Sequence, residues 1–176
     1  MQDGAAARVL MAPTLRKSAE SAHPFRELFA ERDRFESQVD ARIEWAFHPL
    51  EQNLPAPGNV SEELLGCDLV VTDYSSLVYE AYLLGKPVLF YVPDIGDYRV
   101  SPGLNVDPGI VAPELCANTP EELAQLIGKA LAGDYPADAL QRFIGDAFLQ
   151  ENAGVGGLGA GSAAERIVDF AIAHSG

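Results

Sequence analysis

The stretch CDLVVTDYSSLVYEAYLLGKPVLFYV, residues 67–92, decides the fold. Its run Leu69, Val70, Val71, Thr72 is short, apolar and β-branched, which predicts an interior strand. Leu77, Val78, Ala81, Tyr82 and Leu84 then recur at helical spacing. Gly85 ends that helix and Pro87 blocks its continuation. Residues 88–92 form a second apolar run. A strand–helix–strand unit with such tight connections is the mark of a parallel sheet. The junction Asp73-Tyr74-Ser75-Ser76 has two readings. Asp or Ser can cap the helix by accepting from its first N–H groups. Alternatively, those N–H groups and the two hydroxyls converge on an anion such as a phosphate. Local physics alone leaves both open.

Working outward, residues 8–12 (RVLMA) predict a buried strand stopped by Pro13. Pro24 suits the first turn of a helix striped by Phe25, Leu28 and Phe29. Ile43, Trp45 and Phe47 alternate with Glu44 and Ala46, giving a strand that ends at His48-Pro49. Ser61 and Gly66 bound a short helix as its expected caps. Residues 93–119 are rich in Pro and Gly and show no sustained period, so they read as a long loop. Thr119-Pro120-Glu121-Glu122 opens a helix running to about residue 131. Further helices are expected over 137–148 and 162–173, with a glycine-rich loop at 153–161 between them. The whole chain, 1–176, reads as one α/β domain: a Rossmann-like open parallel sheet with helices on both faces. Ligands of such sheets sit outside the C-terminal ends of the strands. Those ends are Pro13-Thr14, His48-Pro49, residues 73–76 and Pro93-Asp94, where the polar residues cluster.

Composition narrows the function. The 176 residues carry 12 Lys and Arg against 26 Asp and Glu, a net charge of −14. That field disfavours nucleic acid and anionic membrane as partners of this domain. A small phosphorylated ligand remains compatible, because local donors can hold it. No stretch has the ~20 apolar residues of a membrane span, and the N-terminus lacks a secretory core, so a cytoplasmic location is the default. Cys67 and Cys116 have no metal-ligand spacing and read as buried thiols. There is no P-loop pattern and no nucleophile elbow. A formal G-x-G-x-x-G at Gly154 to Gly159 follows no strand. No His, Cys or Asp cluster has a convincing metal-ligand spacing.

Individual residues carry the candidate chemistry. His48, at a strand's C-terminal end, is either structural or a phosphate partner and proton carrier. Thr14 and Arg16, past the first strand, are either a turn or cap residue and an ordinary surface cation, or together a hydroxyl and a charge for a diphosphate. Glu80, one turn into its helix, is either a solvated carboxylate or an acceptor from ribose hydroxyls. His23 and His174 read as surface residues.

Four segments in order resemble a known family: VLMAPTLR (9–16), FHPL (47–50), CDLVVTDYSSLVYEAYLLGKPVLFYVPDIGDYR (67–99) and GSAAERIVDF (161–170). They are similar to the C-terminal domain of the CDP-glycerol glycerophosphotransferases, the teichoic-acid primases and polymerases. The likeness spans about residues 8–172. It implies a GT-B fold, two Rossmann-like domains with the active site between them. It also implies a CDP-glycerol or other CDP-alditol donor held by the C-terminal half. Glycerol phosphate or a related alditol phosphate is then transferred to an acceptor hydroxyl, with release of CMP. By matching position, Thr14, Arg16, Ser75, Ser76 and Arg99 are expected at the donor phosphates. His48 is expected to bind the diphosphate and stabilise the leaving CMP, and with backbone dipoles to take the place of a metal, so no metal and no cofactor is expected. Glu80, Asp73 and Asp94 are expected near the ribose and nucleotide, and Arg166 matches a C-terminal family motif.

The chain departs from the family in three respects. Leu15 replaces the usual aromatic residue. The segment after Arg99 differs. The N-terminal acceptor domain, with the family's second histidine, has no counterpart in these residues. The chain is therefore expected to be a donor-binding half, cytoplasmic or peripheral to a membrane only through a full-length enzyme, and inactive without its acceptor half. Two other readings compete. One is the donor half of a UDP-sugar transferase or epimerase. The other is a non-catalytic module of receiver type, which needs an acidic pair where Pro13-Thr14 stands.

Overall fold

Five short strands set the frame of the computed structural model, which describes residues 6–16, 23–51, 53–56 and 59–152. They are β1 (Arg8–Met11), β2 (Arg42–Trp45), β3 (Leu69–Thr72), β4 (Val88–Tyr91) and β5 (Cys116–Ala117). All pair in parallel, in the order β2-β1-β3-β4-β5. The expected open parallel sheet is therefore present. Val9, Leu10, Met11, Leu69, Val70, Val71 and Val88 are fully buried. Each such side chain contributes roughly 1.5–3 kcal/mol of burial, so the middle of the sheet is its rigid part.

The helices are α1 (Pro24–Ala30), α2 (Arg32–Glu36), α3 (Val60–Gly66), α4 (Leu77–Leu83), α5 (Ile95–Val100), α6 (Pro108–Val111), α7 (Pro120–Leu131) and α8 (Ala137–Asn152). Adjacent strand residues point to opposite faces. Phe25 of α1 packs on Tyr91 at 5.5 Å, whereas Phe143 of α8 packs on Phe90 at 4.9 Å. Helices thus cover both faces.

Several local expectations change. Residues 93–119 are not a plain loop: they hold α5, α6, a 3-10 turn (Pro113–Leu115) and the edge strand β5. Each is too short to show a period. The cap of α3 is Asn59, whose side chain accepts from the Ser61 N–H at 3.0 Å, rather than Ser61 itself. The expected glycine-rich loop, the last helix, Arg166 and His174 lie outside the described residues. Cys67 is buried and Cys116 half-buried, and burial pushes the Cys116 thiol up to about 12.

Gly85 closes α4 with a φ of +68°, a left-handed conformation that favours glycine. At α7 the Thr119 hydroxyl accepts from the Glu122 N–H at 3.2 Å, and the Glu122 carboxylate accepts from the Asn118 N–H at 2.8 Å. Thr119→Ala is expected to cost about 1 kcal/mol. Urea unfolding would measure it as a lower midpoint with an unchanged slope.

Candidate functional site

Register brings the strand ends level. Met11 pairs with both Trp45 and Val71, so Thr14, His48 and Asp73 emerge at one edge of the sheet. The chain runs outward from β1 to β2 on one side and resumes at β3 on the other. The crevice at this switch point is where open α/β sheets bind ligands.

In this protein its own side chains occupy that crevice. Asp73 is 1 % exposed. Its Oδ1 accepts from the Thr14 N–H (2.8 Å), the Thr14 hydroxyl (2.6 Å) and the Tyr74 N–H (2.7 Å). Its Oδ2 faces Arg16 Nη2 at 3.1 Å. The same Nη2 lies 2.9 Å from Asp94 Oδ2, and Asp94 Oδ1 accepts from the Tyr74 hydroxyl at 3.0 Å. Tyr74 and Tyr98 stack with centroids 3.9 Å apart, and the Arg16 guanidinium lies over the rings at 5.3 and 4.6 Å. Burial pushes the Asp73 carboxyl up, while Thr14 and Arg16 pull it back. Burial and the Asp94 charge push the Tyr74 phenol far up, which keeps it a donor.

These contacts show how four of the expected site residues are held. Asp73 and Asp94 both face Arg16 Nη2, and Asp73 also lines a cleft beside Ser75 and Ser76. Arg16 places one guanidinium nitrogen, Nη2, between two carboxylates, and its buried Nε has no hydrogen-bond partner among the described residues. The Thr14 hydroxyl spends its proton on Asp73. The node ties the ends of β1, β3 and β4 together. Sequence reasoning missed this because a Thr, an Arg and two Asp at strand ends look alike whether they face a ligand or each other.

Three expected residues stay open. Ser75 Oγ accepts from the Leu77 N–H at 3.3 Å, which leaves its own O–H free to donate. Ser76, at the start of α4, makes no capping bond with its side chain and is exposed. His48 is exposed, and its Nδ1 accepts from the Leu50 N–H at 3.2 Å. A neutral ring in that geometry carries its proton on Nε2, as a donor. The β2 and β3 ends are about 10 Å apart, two strand spacings.

Beside the serines lies a cleft of ≈ 220 Å³, lined by Ser75, Ser76, Tyr79, Tyr98, Asn105 and Phe143 among others. Its far wall, residues 103–108, is braced by Arg99, whose Nη2 donates to Asp107 Oδ1 at 3.1 Å. Arg99 was expected at a phosphate; its first contact is this brace, with 45 % of the side chain still exposed. Asp107 also caps α6 through the Gly109 N–H at 2.9 Å. An Asp before Pro-Gly was the available signal for it. Glu80 is exposed on α4 and is not among the residues lining the cleft. His23, expected at the surface, is 5 % exposed. Among the described residues no group of three or more His, Cys, Asp or Glu is placed to hold a metal, and no helix is long and apolar enough to cross a membrane.

The family model described as CDP-Glycerol:Poly(glycerophosphate) glycerophosphotransferase matches residues 1–171. The chain belongs to this family. A teichoic acid poly(ribitol-phosphate) polymerase of Bacillus spizizenii is 28 % identical over 177 residues, covering 92 % of this chain and 27 % of the relative. A teichoic acid glycerol-phosphate primase of Staphylococcus aureus is 47 % identical over 47 residues, 27 % of this chain and 13 % of the relative. The solved wall teichoic acid polymerase TagF superposes over 94 % of this chain and 42 % of its own, with a TM-score of 0.55 and 21 % identity. That likeness shows the Rossmann-like fold. The chain spans well under half the length of each of these relatives.

Proposed function

We propose that this chain is the donor-binding part of a CDP-alditol-dependent glycerophosphotransferase that works in cell-wall polymer synthesis. The observation that carries the reading is the Ser75-Ser76 junction. It combines an unspent hydroxyl, an exposed one and a flanking cleft, all on the strand-end edge. Family membership supports a CDP-linked alcohol as the ligand.

In this reading Ser75 and Ser76 donate to the diphosphate, and the cleft between α4 and residues 103–108 takes the rest of the nucleotide. An acceptor hydroxyl attacks the phosphorus that carries the alditol, and the bond to CMP breaks. His48, presenting Nε2–H, donates to the departing phosphate, where negative charge grows. The acceptor and the base that deprotonates it belong to an acceptor-side half, in cis or in trans. The Arg16 node holds the strand ends still, and its members Asp73, Tyr74 and Tyr98 form part of the cleft wall.

Calorimetric titration tests the reading with CDP-glycerol, CDP-ribitol, CMP and UDP-N-acetylglucosamine. A CDP-alditol is expected to bind with CMP weaker. Binding of the UDP-sugar alone would point to a sugar-transferase half and remove the proposal.

A further inference from the structure

Glu51 stands three residues beyond His48 and is 3 % exposed. A carboxylate is rarely buried so deeply without partners. Here Arg26 Nε donates to its Oε2 at 2.8 Å, and His23 Nε2 lies 3.2 Å from the carboxylate. The Glu51 N–H donates to the His48 carbonyl at 2.8 Å, closing a turn over residues 48–51. The Leu50 N–H inside the same turn holds His48 Nδ1. On the other side, the His23 ring packs edge-on against Phe47, the residue before His48, with centroids 6.0 Å apart. The start of α1 therefore grips the His48 turn at both ends.

The chemistry of the cluster fits a positioning role better than a stabilising one. His23 Nδ1 is buried and has no partner among the described residues. A ring whose Nε2 donates to Glu51 is satisfied at one nitrogen and bare at the other. Arg26 leaves 42 % of its side chain in water. A buried carboxylate held this way gives little net stability, and the best-supported use of such groups is to select one geometry. We infer that Glu51, clamped by His23 and Arg26, is a positioning residue that locks the His48 turn. The lock fixes Nδ1 on the Leu50 N–H and leaves Nε2–H free for an anionic ligand. The ligand part of this inference rests on the donor reading above; the locking part does not.

Glu51→Gln keeps the shape and removes the charge. The test records ring nitrogen spectra of the 176-residue chain together with calorimetry against CDP-glycerol. The unaltered chain is expected to show His48 as a single Nε2–H tautomer. The variant is expected to show averaged ring nitrogens. Its affinity should fall roughly ten- to a hundredfold, the size seen where a partner orients a functional histidine. Arg26→Lys, which keeps a cation beside the buried carboxylate but loses the guanidinium geometry, should move both readouts the same way by less, and it serves if Glu51→Gln does not fold. Unchanged His48 ring nitrogens in a folded variant, with only a lower Tm, would overturn the inference. If the unaltered chain binds no CDP-glycerol, the donor reading fails, while the ring spectra still decide the lock.

Discussion

Arg16→Ala is expected to destabilise the protein by about 3–5 kcal/mol, because it strands two buried carboxylates without their cation. Asp73 and Asp94 have side chains 1 % and 9 % exposed, and Arg16 Nη2 is 3.1 and 2.9 Å from them. For a chain of this size the loss corresponds to a fall in Tm of roughly 6–20 °C. Adding Asp73→Asn should recover part of it, since one stranded charge is then gone. The double variant should thus be less damaged than the sum of the singles. A contrary result is equally clear. If Arg16→Ala leaves Tm unchanged and only weakens donor binding, then Arg16 is the phosphate ligand that its sequence position suggests. The node would then not be structural.

The second large effect concerns binding rather than folding. Ser75→Ala with Ser76→Ala removes two hydroxyls proposed to donate to a charged phosphate. Each such bond contributes about 1.5–3 kcal/mol. The double variant should therefore bind CDP-glycerol roughly a hundredfold or more weaker. Its stability should change little. Ser76 is exposed and makes no capping bond, and Ser75 gives up only a 3.3 Å bond to the Leu77 N–H. His48→Ala should behave alike, losing affinity at an exposed position. Comparable losses of stability and affinity in the serine variant would favour a plain helix cap.

The two predictions differ because strand-end residues divide into two groups that the sequence does not separate. The strands themselves were legible. β1 and β4 are apolar runs stopped by Pro13 and Pro93, and β3 is apolar and β-branched, so their burial and parallel pairing follow from pattern. β5 was not legible, because two residues, Cys116 and Ala117, carry no period. The candidate site was legible as a place. Thr14, His48, residues 73–76 and Asp94 do gather at one edge. Their orientations were not legible, because they depend on contacts distant in sequence. Thr14 and Arg16 meet Asp73 across 59 and 57 positions. A hydroxyl already spent on a buried carboxylate looks, in sequence, like a hydroxyl awaiting a phosphate. His23 was misread for the same reason. Only the fold shows that Glu51 returns to it from 28 residues away.

The central claim is that the open donors at the ends of β2 and β3 receive the phosphates of a CDP-linked donor. Mapping backbone amide shifts during titration with CDP-glycerol tests it most directly. The account predicts that shifts concentrate at residues 48–50, 74–79 and 103–108, and leave the cleft between α1, α2 and α7 silent. Shifts centred on that other cleft, lined by Glu27, Glu31, Tyr91 and Glu121, would contradict it.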